Sequence, residues 1–181
     1  MINVKYLKIP KERIGVLIGH KGETKKMIET IAQLEIEIDS DEGEITFDEY
    51  AVKDPVMVLQ LEDVIRAIGR GFSPEHAMRL FNEDTDFFVF DIHEYVGKKP
   101  THIIRLKSRI IGKNGKTKQF IERLTGADIS IYGHTISVIG DFESIDVAKK
   151  AIDLLLCGSK HATVYRLIER EMKKIRLRVD F

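Results

Sequence analysis

The feature that most constrains the fold of this 181-residue chain is an internal duplication. Shifting the sequence by 93 positions places residues 18–25 (Ile-Gly-His-Lys-Gly-Glu-Thr-Lys) on residues 111–118 (Ile-Gly-Lys-Asn-Gly-Lys-Thr-Lys). The same offset aligns Ile28 and Glu29 with Ile121 and Glu122. A repeat of this kind indicates that the folding unit is about half of the chain and occurs twice.

Each copy contains a Gly-x-x-Gly loop, at residues 19–22 and 112–115. Apolar residues at helical spacing precede and follow each loop, which predicts that it joins two helices. Glycine at both ends permits a sharp turn and, because it has no Cβ, lets a bulky group come close. The second helix would offer free backbone N–H groups and the positive end of its dipole beside lysine side chains. This combination predicts a site of the size of a phosphate group.

The pattern around each loop predicts the order strand, helix, loop, helix, strand, strand, helix. The expected strands are residues 3–9, 34–39 and 44–47 in the first copy and 87–92, 128–132 and 135–139 in the second. A short helix from Pro74 and a longer basic helix over residues 159–174 extend the two copies. We therefore expect an α+β fold in which each unit packs a three-stranded antiparallel sheet against helices, with units at residues 1–82 and 83–181.

Three smaller features give local expectations. Residues 95–102 contain Gly97 and Pro100 and are expected to form a loop into the next helix. Residues 175–181 alternate like a strand. The single cysteine, Cys157, excludes an intrachain disulfide and a cysteine-cluster metal site, and its apolar neighbours place it in the core.

The net charge of the chain is zero, but its charges are unevenly divided. Residues 1–94 contain 11 Lys and Arg against 20 Asp and Glu, whereas residues 95–181 contain 18 against 9. Between Lys98 and Arg123 there are nine basic residues and one acid, Glu122. Because each neutralised phosphate releases condensed counterions, this segment predicts salt-sensitive binding to a polyanion.

The element order and the loop, found twice, resemble the eukaryotic type of K-homology (KH) domain. The resemblance extends over nearly the whole chain and implies two tandem type I KH domains. It also implies a function in binding single-stranded RNA. In such domains the loop grips the sugar-phosphate backbone of about four unstacked nucleotides, and an apolar groove beside it holds the bases.

The candidate RNA-binding residues therefore come from both loops and their flanks. In the second copy they are Arg109, Ile111, Gly112, Lys113, Asn114, Gly115, Lys116 and Lys118. In the first copy they are Gly19, His20, Lys21 and Gly22. The candidate walls of the apolar groove are Ile110, Ile111, Ile121, Ile129 and Ile131, whose spacing is equally typical of core residues.

The first copy is the more ambiguous of the two. Its loop contains cationic residues, but residues 29–63 contain 12 acids and a single base, Lys53. Repulsion between these acids and a phosphate chain would oppose RNA binding. Two hypotheses stay open for this copy, namely weak RNA contact and binding of a protein partner.

No pattern in the sequence indicates an enzyme, a cofactor or a metal site. The six histidines show no metal-binding pair, and no Gly-x-x-x-x-Gly-Lys-Ser/Thr loop is present. A nuclease cluster could be imagined from Asp84, Asp86, Asp91 and Glu94, but their strand and loop setting is typical of solvated charge. The alternative from another class is a protein-interaction scaffold whose acidic first half docks a basic partner.

The sequence also bears on location. No apolar run approaches the roughly 20 residues that a bilayer-spanning helix needs, and the first residues lack the apolar core of a signal peptide. We therefore expect a cytoplasmic protein.

Three segments resemble the partner-of-Nob family of ribosome-assembly proteins: residues 111–118, residues 139–142 (Ile-Gly-Asp-Phe) and residues 164–166 (Val-Tyr-Arg). The resemblance implies binding near the 3′ end of small-subunit ribosomal RNA, beside Nob, the endonuclease that matures this end. It further implies contact with the alpha subunit of translation initiation factor two. Eukaryotic members have a degenerate first loop, whereas residues 19–22 are intact here, which leaves open whether both units grip RNA.

Overall fold

The computed structural model describes residues 4–51 and 54–179. The chain divides into two compact units, Met1–Glu83 and Asp84–Phe181. Each unit contains a three-stranded antiparallel sheet and several helices, so the expected α+β class is confirmed. No helix within these residues combines the length and the apolar composition that crossing a membrane requires.

The first unit is built around the central strand of its sheet. Its elements are β1 (Val4–Lys8), α1 (Lys11–Ile18), α2 (Glu23–Ala32), β2 (Glu37–Asp39), β3 (Glu44–Asp48), α3 (Pro55–Gly69) and α4 (Pro74–Ala77). β3 pairs with β1 on one side and β2 on the other, with Tyr6 opposite Thr46 and Ile38 opposite Ile45. The strand expected at residues 34–39 is present only from Glu37, and the backbone N–H of Ile36 before it donates to the side chain of Glu29.

The second unit repeats this plan. Its elements are β4 (Thr85–Asp91), α5 (His93–Val96), α6 (Pro100–Ile111), α7 (Lys116–Thr125), β5 (Asp128–Tyr132), β6 (Thr135–Asp141), α8 (Phe142–Leu156) and α9 (His161–Val179). The central β6 lies between β4 and β5, and both neighbours are antiparallel to it. The order of strands and helices predicted from the duplication is thus confirmed in both units.

Three local expectations are wrong. The loop expected at residues 95–102 is shorter, because α5 extends to Val96 and α6 begins at Pro100, which suits the first helical position. The strand expected at residues 175–181 is helical as far as Val179, and residues 180–181 lie outside the described part of the chain. Ile175 packs against the core one turn beyond the buried Met172. The helical spacing of these apolar residues therefore prevails over the strand-like alternation of residues 175–181. Cys157 is exposed at the end of α8 and does not belong to the core.

The core of the second unit lies between the sheet and the inner faces of its helices. β6 contributes Ile136 and Val138, and the buried stripe of α8 includes Ile145 and Ile152. The extension α9 buries Val164, Ile168 and Met172 in the same core, so it is an integral part of the unit. The short α5 is joined to α8 by Tyr95, whose hydroxyl donates to Asp153 Oδ1 (2.8 Å), and burial together with that carboxylate raises the pKa of Tyr95.

A glutamate at equivalent positions fixes the segment after the second helix in both units. In the second unit Glu122 Oε1 accepts the backbone N–H of Ile129 (2.9 Å) and lies 2.8 Å from Lys118 Nζ. In the first unit the Oε1 of Glu29, 93 residues earlier, accepts the N–H of Ile36 (2.8 Å) and lies 3.6 Å from the Nζ of Lys25. The repeated Lys-x-x-x-Glu spacing therefore has a structural role, because it provides an acceptor for a backbone N–H that would otherwise lack one.

We expect Glu122→Ala to lower the free energy of unfolding by about 1–3 kcal/mol, because it leaves the N–H of Ile129 without its acceptor. Glu122→Gln retains an oxygen acceptor and loses mainly the half-exposed ion pair with Lys118, so its cost should stay below about 1 kcal/mol. Urea unfolding of the three proteins measures both values. Equal destabilisation by the two substitutions would contradict a separate contribution from the backbone hydrogen bond.

Candidate nucleic-acid interface

The second Gly-x-x-Gly loop is one turn of 3-10 helix, Lys113–Gly115, between α6 and α7. The N–H of Gly112 donates to the carbonyl of Ser108 (2.8 Å), and the N–H of Gly115 donates to the carbonyl of Gly112 (3.2 Å). Gly112, Asn114 and Gly115 all have positive φ, at 72°, 54° and 76°. The chain therefore reverses within four residues, and the side chains of Lys113 and Asn114 at its tip are exposed.

The two glycines of this loop have different surroundings. A Cβ on Gly112 would lie 2.7 Å from Thr117 Cβ and 2.8 Å from the backbone nitrogen of Thr117, so packing inside the protein excludes a side chain there. A Cβ on Gly115 would have Gln119 Nε2, at 3.6 Å, as its nearest neighbour. The expected free approach of a bulky group to the backbone is thus available at Gly115 and not at Gly112.

Three exposed cations surround the loop: Arg105 on α6, Lys113 at the tip and Lys116 at the start of α7. Within the described residues, none of the three forms an ion pair with a carboxylate. They border an open groove of about 500 Å³, lined by Arg105, Ser108, Arg109, Gly112, Lys113, Lys116, Thr117, His161 and Tyr165. Unpaired cations beside the first N–H groups of a helix form a suitable environment for phosphate groups.

Arg109 lines the groove, but its guanidinium is occupied by the protein itself. Its Nε donates to the carbonyl of Leu155 (3.0 Å) and its Nη2 to the carbonyl of Ser159 (2.5 Å). Arg13 in the first unit makes the same pair of bonds, to the carbonyls of Ile68 (2.7 Å) and Phe72 (2.6 Å). Both arginines satisfy carbonyls around the C-terminal end of the long helix, which the helix itself leaves unpaired.

Lys118 also has an internal partner, since it pairs with Glu122 one turn later in α7. Of the cationic candidates in the second copy, Lys113 and Lys116 are therefore available to a ligand, whereas Arg109 and Lys118 already hold protein groups.

The apolar candidates divide into core and surface. Ile110, Ile121 and Ile129 are buried, at 0%, 0% and 4% exposure, so they cannot form the wall of a groove, and Ile131 is half-buried against the core. Ile111, in contrast, is 37% exposed. Of the five candidates for the wall of the apolar groove, Ile111 therefore lies at the surface.

A second exposed isoleucine, Ile104, was missed by the sequence analysis. Ile104 is 63% exposed and lies seven residues before Ile111, so both are on the same face of α6. Between them Lys107 donates to the carbonyl of Gly133 in the turn between β5 and β6 (2.9 Å). An apolar strip therefore runs along α6 beside this turn and ends at the loop. The seven-residue spacing from Ile111 was the sequence signal for it.

The extension α9 contacts residues before and after the loop. Tyr165 forms a hydroxyl–hydroxyl hydrogen bond with Thr117 (2.9 Å), and its ring lies 4.2 Å from the ring of Phe120. His161 Nε2 lies 3.0 Å from the carbonyl oxygen of Arg109, near the end of α6. In the sequence, Tyr165 stands out only within residues 164–166 as part of a family resemblance, but in the structure its hydroxyl bonds to Thr117, the residue against which Gly112 packs. A further groove of about 510 Å³ is lined by Lys116, Gln119, Phe120, Arg123 and Tyr165.

The first Gly-x-x-Gly loop has the same backbone. Gly19, Lys21 and Gly22 have φ values of 74°, 49° and 80°, and a Cβ on Gly19 would collide with Thr24. His20 and Lys21 are exposed at the tip. By backbone geometry alone, the two loops are equally suited to a phosphate.

The surroundings of the two loops differ in charge. The positions equivalent to Arg105 and Lys116 are Glu12 and Glu23 in the first unit. The helix that follows α3 is the four-residue α4, so the described part of the first unit has no counterpart of the long α9. Two carboxylates thus replace two cations, and a polyanion is attracted less strongly to the first loop.

The four acids considered as a nuclease cluster are not brought together. Asp86 Oδ1 accepts the backbone N–H of Phe87 (2.8 Å), and Asp91 Oδ1 accepts that of His93 (2.9 Å). Over residues 4–51 and 54–179, one group of three potential metal ligands lies close together, and it consists of Asp91, His93 and His134. The sequence analysis missed this group because its members become neighbours only through strand pairing.

Comparison with known proteins gives consistent matches. A family model of the eukaryotic type KH domain (KH-domain type I), for the second KH domain of PNO1 proteins, matches residues 86–173. A KH domain-containing protein of Methanocaldococcus jannaschii is 44% identical over 174 residues, which cover 96% of this chain and 76% of the relative. The pre-rRNA-processing protein PNO1 of Chaetomium thermophilum is 27% identical over 181 residues, covering 96% of this chain and 69% of the relative.

Among solved structures, a chain of the a/eIF2alpha–aDim2p–rRNA complex from Pyrococcus horikoshii matches with a TM-score of 0.86 at 43% identity. The match covers 95% of each chain. Because the first unit repeats the strands and longer helices around the loop in the same order as the second, apart from the short α5, the expected tandem type I KH fold is confirmed.

We expect Gly112→Ala to destabilise the protein by at least about 1–2 kcal/mol more than Gly126→Ala, its matched control. Gly126 also has positive φ (74°), but nothing lies within 4 Å of a Cβ built there. Gly112 combines φ 72° with ψ 176°, a region that residues other than glycine avoid, and packs against Thr117. Thermal and urea unfolding measure the difference. Equal costs at the two positions would show that the contact with Thr117 relaxes freely.

Proposed function

The chain belongs to the PNO1/Dim2 family of KH-domain proteins, and from this premise we propose that it is a single-stranded RNA-binding factor in ribosome biogenesis. Its proposed target is the region near the 3′ end of small-subunit ribosomal RNA during pre-rRNA maturation. A ribosomal RNA target is supported by the pre-rRNA-processing relative and by the solved complex that contains rRNA.

The proposal is supported by three features that occur together at the second loop, namely unpaired lysines, an accessible glycine and an apolar strip. Lys113 and Lys116 are exposed and free of carboxylates among the described residues, and Gly115 is open to an approaching group. Beside them the apolar strip of Ile104 and Ile111 runs along α6. A phosphate chain would follow the loop and the start of α7, while the bases would lie on the apolar strip.

In this proposal the second unit provides most of the affinity. The first loop has the appropriate turn, but Glu12 and Glu23 stand where the second unit has cations. The first unit would then contribute a weaker contact through His20 and Lys21. The scaffold alternative is not favoured, because the relatives are named for RNA binding and pre-rRNA processing rather than for protein docking.

We further propose two protein partners, the pre-rRNA endonuclease Nob and the alpha subunit of translation initiation factor two. The resemblance to the partner-of-Nob family supports the first partner. The complex of a Dim2 protein with a/eIF2alpha and rRNA supports the second. In this role the chain acts without catalysis, by positioning RNA for the nuclease, and it acts in the cytoplasm.

The first test is titration of a fluorescently labelled single-stranded RNA that matches the 3′ end of small-subunit rRNA. We expect Lys113→Asp/Asn114→Asp to weaken binding by at least about 100-fold, because two carboxylates would face the phosphates. The matched variant His20→Asp/Lys21→Asp should weaken it by less than about tenfold. Equal binding by wild type and both variants would refute the phosphate site, and a larger loss in the first-loop variant would refute the assignment to the second unit.

A reciprocal charge exchange tests why the two units differ. Lys116→Glu gives the second loop the residue of the first, and it should lower affinity and reduce the slope of log K against log salt by about 1. Glu23→Lys makes the opposite change and should raise affinity. Lys150→Glu, an exposed position on α8 outside the groove, is the control for net charge. If Lys150→Glu has the same effect as Lys116→Glu, the charge acts at long range and not at the loop.

A further inference from the structure

Three side chains with metal-binding atoms meet where β4 ends. Asp91 is the last residue of β4, His93 begins α5 two residues later, and His134 lies in the turn between β5 and β6. Strand pairing brings them together, because Asp91 lies opposite Thr135 and the N–H of Ile92 donates to the carbonyl of His134 (2.9 Å). The site is thus built on the backbone of the sheet.

The distances among the three side chains suit a shared cation. Asp91 Oδ1 lies 3.1 Å from His93 Nδ1, and Asp91 Oδ2 lies 3.9 Å from His134 Nε2. One ligand atom from each residue lies within 4.8 Å of the other two. A tetrahedral zinc ion with bonds of about 2.0–2.2 Å holds its ligand atoms about 3.3–3.6 Å apart. Rotation of a histidine side chain out of its present position would therefore close the group around an ion.

Part of the arrangement is preorganised, namely the carboxylate of Asp91. The two imidazole rings are stacked, with centroids 4.2 Å apart and planes 25° from parallel, so one ring must turn before the nitrogen lone pairs, which lie in the ring planes, converge on one ion. The backbone N–H of His93 donates to Asp91 Oδ1 (2.9 Å) and orients the carboxylate. All three residues are half-buried, so their freedom is limited while one side stays open to water. Ligands whose orientation is fixed by neighbouring hydrogen bonds bind metals more tightly.

We propose that Asp91, His93 and His134 form a zinc site that is completed by water. Two imidazole nitrogens and one carboxylate favour a divalent transition ion over Mg²⁺ or Ca²⁺, which prefer oxygen ligands. Three protein ligands with an open fourth position are the usual donor number of an accessible zinc site. This inference does not rest on the proposed function, since none of the three residues belongs to either loop.

The position of the site indicates what a bound ion does. Gly133, the neighbour of His134, accepts the hydrogen bond from Lys107 on α6. Zinc bound to Asp91 and His134 would fix the turn between β5 and β6 to the end of β4. The ion would hold in place the turn between β5 and β6, which lies beside the apolar strip of Ile104 and Ile111. It would also neutralise the charge of Asp91 next to this turn.

The test is calorimetric titration of the metal-free full chain with ZnCl₂. We expect one zinc per chain for the wild type, and at least about tenfold weaker binding for His93→Gln and for His134→Gln. His76→Gln, which removes an exposed histidine of α4, is the matched control and should bind like the wild type. MgCl₂ should give no binding. Equal zinc affinity in the wild type and both ligand variants would overturn the proposal.

Cobalt provides a second, spectroscopic readout of the ligands. Co²⁺ in a nitrogen- and oxygen-ligated site of low coordination gives visible d–d absorption, which should appear with the wild type and His76→Gln and be lost with His134→Gln. Asp91→Asn keeps the size of the side chain and removes its charge, so it should weaken zinc binding without unfolding the sheet, as circular dichroism would verify. A wild-type cobalt spectrum typical of six-coordinate aquo-ion, or full zinc affinity in Asp91→Asn, would refute the site.

Discussion

The close contact between Gly112 and Thr117 is the constraint on which the interface of the second unit depends. Because no Cβ fits between them, α6 can end and α7 can begin within one turn. Thr117 is in turn held by the hydroxyl of Tyr165 on α9, so the extension helix supports the loop through one buried residue. The contact between Gly19 and Thr24 repeats the first part of this arrangement without an α9. Both loops thus have the same backbone conformation and differ in the side chains around them.

Electrostatics then distinguishes two loops of the same geometry. At equivalent positions Lys116 faces solvent in one unit and Glu23 in the other. A pair of unit charges 4 Å apart contributes about 1 kcal/mol in water and several times more near a protein surface. Replacing two cations by two carboxylates therefore weakens the attraction of a polyanion to the first loop, although the turn is the same. The two loops thus share a backbone conformation, while the charges at two equivalent positions beside them are opposite in sign.

Much of the fold could be predicted from the sequence because the duplication tests each local assignment twice. The order of the strands and of the longer helices follows from spacing and from glycine, which are local signals, whereas the short α5 was not predicted. Contacts between distant segments of the chain cannot be predicted from such local signals. The bonds of Arg109 to carbonyls of α8 and beyond, and the burial of Ile110, depend on how helices pack. The meeting of Asp91 and His134 depends on strand register, which no spacing in the sequence encodes.

The faces of α6 differ in their surroundings. Ile110 and Leu106 face the core, Arg109 is bonded to the carbonyls at the end of α8, and Ile104 and Ile111 remain at the surface. Residues one position apart, such as Ile110 and Ile111, therefore lie in the core and at the surface respectively. A basic, apolar segment of sequence does not reveal this division, because cations and isoleucines occur on every face. The angular position around the helix decides which of them a ligand can reach.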